Sequence, residues 1–130
     1  MATSYWDAGE GEIAAKVTLT EAQQGAPGHS HGGSLAAILD EAMGWAVWRS
    51  GARALAGRLE FDYRLPTPLG VPLEARARVV GRGGRSIRAE CEMRLPDGSV
   101  CVQGRGVFVD LGDRFEEKFG THWGAPQPGA

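Results

Sequence analysis

The chain is poor in the features that mark membrane, nucleic-acid-binding and oxidised secreted proteins. No stretch reaches the roughly 18 consecutive apolar residues of a membrane span, and residues 1–7 have no signal-peptide pattern. Its 14 basic residues do not outnumber its 16 acidic ones, and the net charge of −2 argues against a nucleic-acid partner. There are only two cysteines and no internal repeat. We therefore expect a cytoplasmic protein with reduced thiols and with no membrane or nucleic-acid partner.

A metal site is also not indicated. His29 and His31 form a His-x-His pair, but no third ligand follows at a convincing spacing, and His122 lies in the predicted tail. The glycine-rich residues 81–85 lack the Lys-Ser/Thr pair and the following helix of a phosphate-binding loop. We predict no metal and no phosphate-binding loop of that type.

Hydropathy patterns divide the chain into a strand, one helix and a series of strands. Residues 11–20 alternate as a first strand, and residues 33–50 carry a wide apolar arc that predicts a helix ending at Gly51. Apolar and charged residues then alternate through 58–65, 73–79 and 87–95 and again after residue 99. This predicts one α+β domain at 1–113, with an antiparallel β-sheet of at least five strands wrapped around one long central helix. Residues 114–130 are predicted to be a peripheral tail.

The register of the last hairpin follows from its turn. A two-residue loop at Asp97 and Gly98 gives these pairs: Leu95 with Val100, Met93 with Val102, Cys91 with Gly104, Glu90 with Arg105 and Ile87 with Phe108. Apolar residues then share one face, and the charged pair Glu90 and Arg105 lies on the other. The same register points Cys91 inward and Cys101 outward, so we expect two free thiols.

The most informative stretch is a Gly/Pro-rich loop that leads directly into the helix. The helix carries a carboxylate, Asp40, among apolar residues, and a buried carboxylate is costly unless it is paired or used. The start of the helix leaves free backbone N–H groups, where the helix dipole favours negative charge. These features predict a reaction site, with pairing of Asp40 to an arginine as the alternative. Glu41, one step round the helix, is interpreted as structural.

This stretch carries a family resemblance. The segment Gly-x-Pro-Gly-x-x-His-Gly-Gly-x-x-Ala-x-x-Leu-Asp-Glu, from Gly25 to Glu41, resembles the signature of hotdog-fold acyl-CoA thioesterases of the PaaI-like group. Residues 58–70 resemble that family's second strand and its proline-containing exit, and residues 104–109 resemble its last strand. The resemblance implies a hotdog fold and hydrolysis of the thioester between an acyl group and coenzyme A. It implies no cofactor, because coenzyme A is part of the substrate.

The resemblance also assigns roles to individual residues. In that family the residue nine places after the His of His-Gly-Gly is the catalytic carboxylate, which is Asp40 in this chain. Asp40 would act as a general base toward water or as a nucleophile that forms a mixed anhydride. A backbone N–H of Gly32 or Gly33 would stabilise the oxyanion. His31 would belong to the site, with loop packing as its alternative role.

One position departs from the family pattern. Related thioesterases often have a Ser or Thr sixteen residues after the catalytic carboxylate, where it reaches the partner subunit's site, and this chain has Ala56 there. Gln24, just before the loop, is a candidate for holding the water instead, with an ordinary loop role as the alternative. Arg82 and Arg85 are candidates for contacting the phosphates of coenzyme A, with solvated arginines in a tight turn as the alternative.

The family further implies a homodimer or homotetramer with its sites at the subunit interface. Exposed edges of an antiparallel sheet are compatible with such assembly. Two other functions stay open at this point. A non-catalytic acyl-CoA-binding hotdog protein is favoured by Ala56 and disfavoured by Asp40. A dehydratase acting on hydroxyacyl thioesters would need a His/Asp pair, and the spacing fits a hydrolase better.

Overall fold

The computed structural model describes residues 2–9, 11–112 and 114, without the side chains of residues 2–4 and 6. The elements in chain order are β1 (Ala2–Gly9), β2 (Glu12–Thr18), a 3₁₀ turn (Glu21–Gln23), α1 (Gly32–Arg49), β3 (Ala54–Tyr63), β4 (Pro72–Gly83), β5 (Ser86–Arg94) and β6 (Val100–Asp110). The predicted helix agrees within one residue at each end. β1 is absent from the sequence prediction. The predicted tail lies outside the described residues, apart from Arg114.

The six strands form a single antiparallel sheet in the order β1-β2-β4-β5-β6-β3. β1 and β3 are therefore its two edges. Gly9 and Gly11 have φ angles of 86° and 77°, a left-handed conformation that glycine adopts at little cost and that turns the chain from β1 into β2. This arrangement confirms the expected antiparallel sheet with one long helix.

The core lies between α1 and the inner face of the sheet. The buried residues of α1 occupy a wide arc: Leu35, Ile38, Leu39, Ala42, Met43, Trp45, Ala46 and Val47. Opposite them, alanines pair across the central strands, as Ala15 does with Ala75. Both are fully buried, and their small side chains leave room for the large apolar residues of the helix. The apolar inner face predicted from the alternation is thus confirmed.

The β5–β6 hairpin follows the predicted register only beyond its tip. Met93 pairs with Val102 and Cys91 with Gly104, as predicted, whereas Val100 pairs with Arg94 and not with Leu95. Near the tip, the Leu95 N–H donates to the Ser99 carbonyl, so that residues 96–98 form a three-residue loop. A two-residue loop would require an N–H from Pro96 in its closing pair, and proline has none.

The register shift between residues 93 and 94 changes the prediction for Cys101. An extra residue in β6 restores the register at Met93, and Cys101 at this bulge is fully buried together with Val102. The outward orientation expected for Cys101 is therefore wrong. Its thiol donates to the Met93 carbonyl at 3.4 Å. Cys91 is buried as predicted, and both cysteines are free.

The outer face of the sheet is covered by ion pairs between neighbouring strands. Arg76 contacts Glu12 at 3.2 Å, and Arg78 contacts Glu90 at 3.3 Å. Arg105 stands opposite Glu90, as the register predicts, but its guanidinium binds carboxylates of β3, with Glu60 at 3.1 Å. The Arg76–Glu12 pair is partly buried, and the other two are exposed. Exposed pairs each contribute at most about 1 kcal/mol to stability. They identify this face as the solvated one.

Candidate active site at the start of the helix

The loop before α1 is fixed by backbone hydrogen bonds to its surroundings. The Ser30 N–H donates to the Thr67 carbonyl at 2.8 Å, and the His31 N–H donates to the Gln23 carbonyl at 2.6 Å. Thr67 is itself buried in the connection between β3 and β4. The loop therefore delivers His31 and the following glycines at a defined place against the sheet.

His31 caps the helix. Its backbone is extended, and its imidazole Nδ1 accepts a hydrogen bond from the Gly33 N–H at 2.8 Å. The neutral ring must then carry its proton on Nε2. The Gly33 amide is thus used within the chain, whereas no acceptor among the described residues takes the Gly32 amide. Of the two glycine amides predicted as oxyanion donors, the structure leaves Gly32 available.

Asp40 lies two turns further along α1 and is partly buried. Burial raises the pKa of its carboxyl group above the ordinary value. In the described part of the chain, no side chain or backbone group donates a hydrogen bond to this carboxylate and no cation pairs with it. The alternative of a structural pair with an arginine is therefore not found. An unpaired, partly desolvated carboxylate is typical of a group that works on a ligand.

The surface beside Asp40 is lined by small residues. Ala37 is exposed, Ala36 and Gly44 are partly buried, and a β-carbon added to Gly44 would meet nothing within 4 Å. This side of α1 is therefore open, while the opposite side is packed on the sheet. Glu41 is exposed. A ligand or a second chain can approach Asp40 without displacing a large side chain.

Two tyrosines contact α1, and neither was singled out by the sequence pattern. The Tyr63 hydroxyl donates to the Gly32 carbonyl at 2.8 Å. The Tyr5 hydroxyl is 3.5 Å from the Ile38 carbonyl, and its pKa is raised by burial and, to a lesser extent, by Glu41 and Asp40. Tyr63 occurs in a strand whose alternation predicts a core position, yet 51% of it is exposed. Residue spacing in the sequence does not show that the Tyr63 hydroxyl lies close to Gly32 in the fold.

The remaining candidates are less closely associated with the helix start. The Gln24 side-chain oxygen accepts the Gly28 N–H at 3.0 Å, which agrees with an ordinary loop role. Ala56 is exposed on the edge strand β3, opposite Phe108 and next to a bulge. Tyr63, which contacts Gly32, is seven residues further along the same strand, or roughly 23 Å at the usual rise. Ala56 and Gly32 of one chain are therefore far apart.

Arg82 and Arg85 lie at the opposite end of the sheet from the helix start. Arg82 pairs with Ile87 near the β4–β5 turn, and Asp110, which forms an ion pair with Arg82, faces Ala54 at the beginning of β3. Arg85 is exposed at the same turn. One chain does not bring these arginines to Gly32, and Arg82 already has a carboxylate partner.

The described residues contain neither a metal-binding cluster nor a membrane-spanning helix. No group of three or more His, Cys, Asp and Glu side chains is arranged to hold a metal ion in the part of the chain that the structure describes. Within the same part, no helix is long and apolar enough to cross a membrane.

Comparison with known proteins identifies the family. Residues 27–102, more than half of the chain, match the family model described as "Thioesterase superfamily". The chain belongs to the thioesterase superfamily. Acyl-coenzyme A thioesterase THEM4 of Xenopus laevis is 31% identical to it over 90 residues, which make up 68% of this chain and 40% of that protein. The chain thus spans less than half the length of this thioesterase superfamily relative.

Solved structures of the thioesterase superfamily agree with the fold. One thioesterase superfamily protein is 40% identical, with a TM-score of 0.76 over 78% of this chain and 50% of that one. The E. coli PaaI protein matches with a TM-score of 0.79 at 24% identity, over 85% of this chain and 80% of its own. These similarities confirm the expected fold of a hotdog thioesterase.

Proposed function

We propose that the protein hydrolyses the thioester bond of acyl-coenzyme A. The observation that carries the proposal is Asp40, a partly buried carboxylate with no partner among the described residues, on the open side of a helix whose first amide is free. Membership of the thioesterase superfamily supports the reaction class. The relative named acyl-coenzyme A thioesterase supports the substrate class.

In the proposed reaction Asp40 acts on water or on the substrate itself. As a general base, Asp40 takes a proton from water while the water oxygen bonds to the thioester carbon and the carbonyl electron pair moves to oxygen. Collapse of this intermediate re-forms the carbonyl, breaks the C–S bond and gives the proton to the departing thiolate, leaving a carboxylic acid and free coenzyme A. As a nucleophile, Asp40 would form a mixed anhydride that water then cleaves.

The Gly32 amide is the proposed donor to the oxyanion. The Gly33 amide is already bound to the His31 imidazole, and this bond would have to break before Gly33 could serve. The Gly32 amide has no such competitor among the described residues. A free backbone N–H at the positive end of a helix is a good donor to developing negative charge. We assign His31 the role of holding this helix start.

We further propose that each site is completed by a second copy of the chain. Asp40 lies eight positions after Gly32 in the helix, a rise of about 12 Å, and the first-turn N–H groups point away from Asp40. A water held between a carboxylate and a carbonyl spans only two hydrogen-bond lengths, roughly 6 Å. A carbonyl bound to the Gly32 amide of one chain would therefore be attacked by a water on Asp40 of the other.

The edge strand β3 is the proposed contact between the two copies. Its apolar residues are incompletely covered: Leu55 is 39% exposed and Tyr63 is 51% exposed, and Leu65 just after the strand is 43% exposed. An unpaired edge with exposed apolar side chains favours pairing with another strand. Pairing here would produce a homodimer with two sites, and a homotetramer would be a dimer of such dimers.

The test is release of free thiol from short-, medium-, long-chain and aromatic acyl-coenzyme A by the wild type and Asp40→Asn. We expect turnover with part of the panel and a loss of at least a hundredfold in kcat for the variant, with unchanged oligomeric mass. Undiminished turnover in Asp40→Asn would remove Asp40 from the mechanism. Conversion of a hydroxyacyl substrate to the unsaturated thioester without thiol release would indicate a dehydratase.

A non-catalytic acyl-coenzyme A-binding role is the second candidate, and Ala56 is the observation that favours it. Alanine offers no hydroxyl to position water where related proteins often have Ser or Thr. Saturable binding of acyl-coenzyme A with no thiol release would support this role. In either case we expect the protein to act in the cytoplasm, where its two free thiols would stay reduced.

A further inference from the structure

Tyr63 is positioned against the backbone of the first helical residue. Its hydroxyl is 2.8 Å from the Gly32 carbonyl oxygen, although Tyr63 lies 31 positions further along the chain. Its ring lies over Gly32, since a β-carbon placed on this glycine would be 3.4 Å from Cζ and 3.5 Å from Cε1 of the tyrosine. A residue at the end of an edge strand thus holds the start of α1.

The hydrogen bond completes a clamp on one peptide group. The Gly32 carbonyl and the Gly33 N–H belong to the same peptide unit. Tyr63 binds this unit at the carbonyl, and His31 Nδ1 binds it at the N–H. Two consecutive glycines have more backbone freedom than any other pair, and helix ends fray. With both ends of the peptide held, the orientation of the adjoining Gly32 amide is restricted.

We propose that Tyr63 is a positioning residue, which fixes the Gly32–Gly33 peptide so that the free Gly32 amide is directed at the substrate carbonyl. The inference rests on the proposed thioesterase function. Tyr63 does not touch the reacting atoms in this scheme. It acts by limiting the reorganisation of an amide that must point at the oxyanion when the charge develops, and such preorganisation is a main source of rate enhancement.

The chemistry of the phenol suits this role. Partial burial raises the pKa of Tyr63 above the ordinary value, so the hydroxyl remains a donor throughout the neutral range. Phenylalanine would keep the ring on Gly32 and remove only the hydrogen bond. A role confined to packing would therefore survive Tyr63→Phe, whereas a role in positioning the peptide would not.

The experiment compares Tyr63→Phe with Tyr5→Phe, the two tyrosine-to-phenylalanine variants that the chain allows. For Tyr63→Phe we expect kcat for acyl-coenzyme A hydrolysis to fall about threefold to tenfold, with KM and the melting temperature nearly unchanged. We also expect faster hydrogen exchange at the Gly33 amide by NMR. Tyr5→Phe removes a hydroxyl near the Ile38 carbonyl, away from the Gly32–Gly33 peptide, and is expected to leave Gly33 exchange unchanged.

Three results would overturn the inference. The first is a wild-type kcat in Tyr63→Phe, and the second is Gly33 exchange at the wild-type rate. The third is an equal fall in kcat for both variants, together with a lower melting temperature. This result would indicate that the Tyr63 hydroxyl only stabilises the fold. If the wild type releases no thiol from any acyl-coenzyme A, both the proposed function and the inference fail. If the wild type is active and Tyr63→Phe is equally active, only the inference fails.

Discussion

Cys91 lies directly opposite Gly104 across β5 and β6, and the space of the missing Gly104 side chain is filled by Cys91 and Phe61. A β-carbon on Gly104 would be 2.7 Å from Cys91 Sγ and 2.6 Å from Phe61 Cδ1. Gly104→Ala should therefore lower the free energy of unfolding by about 1–3 kcal/mol, because a packed core cannot absorb the extra methyl group without displacement. Denaturant unfolding measures the change, and wild-type stability would show that Phe61 moves aside freely.

Gly44→Ala provides a matched control with the opposite expectation. The position is inside α1, where alanine is preferred, and an added β-carbon meets nothing within 4 Å. The variant should be more stable by roughly 0.5–1 kcal/mol. If the open side of α1 receives an acyl chain or a second copy, the same variant should lose turnover or dimer mass despite its greater stability. A loss of stability would show that this side of the helix is not open.

Asp40→Asn should stabilise the protein at neutral pH. Burial raises the pKa of Asp40 in the folded state, so the unfolded chain gives up this proton more readily as the pH rises above about 3.8. The free energy of unfolding of the wild type therefore falls relative to that of the variant as the pH rises from about 3.8 to the raised pKa of Asp40. The full difference in stability is present at pH 7. At pH 3 both states hold the proton and the difference should disappear.

Thermal unfolding of both proteins at pH 3 and pH 7 measures this effect. Glu41→Gln is the control, because Glu41 is one residue away on the same helix and its exposed charge stays in water. We expect no comparable gain from it. Equal melting temperatures of wild type and Asp40→Asn at pH 7 would contradict a desolvated carboxylate at position 40.

Neither thiol should react in the native protein. Burial raises the pKa of Cys91 to about 12, against the opposing effect of Arg105, and burial also raises the pKa of Cys101. Both groups are therefore protonated thiols at pH 8, and the thiolate is the reactive form. Ellman's reagent should titrate no thiol before unfolding and two per chain in denaturant. Fast labelling of one thiol would place Cys101 on the surface, as the uninterrupted hairpin register predicted.

A charged residue introduced into the edge strand β3 tests whether this strand forms the dimer contact. Leu55→Glu on β3 should reduce the mass in solution to that of one chain and abolish turnover with it, because the proposed site needs Gly32 and Asp40 from different copies. Val80→Glu is the control, since Val80 is 43% exposed on β4, away from both edges. Light scattering and thiol release measure the two effects. A monomeric Leu55→Glu that retains full turnover would refute the two-chain site.

The sequence allowed prediction of those parts of the fold that depend on local periodicity. The apolar arc of α1 is wide, and Gly51 adopts a φ of 95° just past its end, so the helix could be placed almost to the residue. The register from Cys91 to Ile87 followed because a shift by one residue would turn every apolar side chain outward. The helical and the strand periodicity each recur over many residues, so a single unusual residue does not obscure them.

The features that could not be predicted depend on single residues or on distant contacts. The bulge at Cys101 leaves the alternation on either side intact, and Pro96 determines the loop through one missing N–H. The hydrogen bond of Tyr63 to Gly32 joins a strand end to a helix start, so no short sequence window contains both. Alternation also predicts which face of β3 a residue occupies, but not whether anything covers it. The assignment of Asp40 came from family resemblance, and its catalytic role remains a prediction.

The irregular tip of the β5–β6 hairpin has a consequence for how this sheet tolerates change. The predicted two-residue turn and the observed three-residue turn with its bulge both pair Met93 with Val102. The three-residue loop shifts the register by one residue, and the bulge at Cys101 shifts it back. Mutations in the tip can therefore change how the turn closes and which way residue 101 points, while the strands below it keep their alignment.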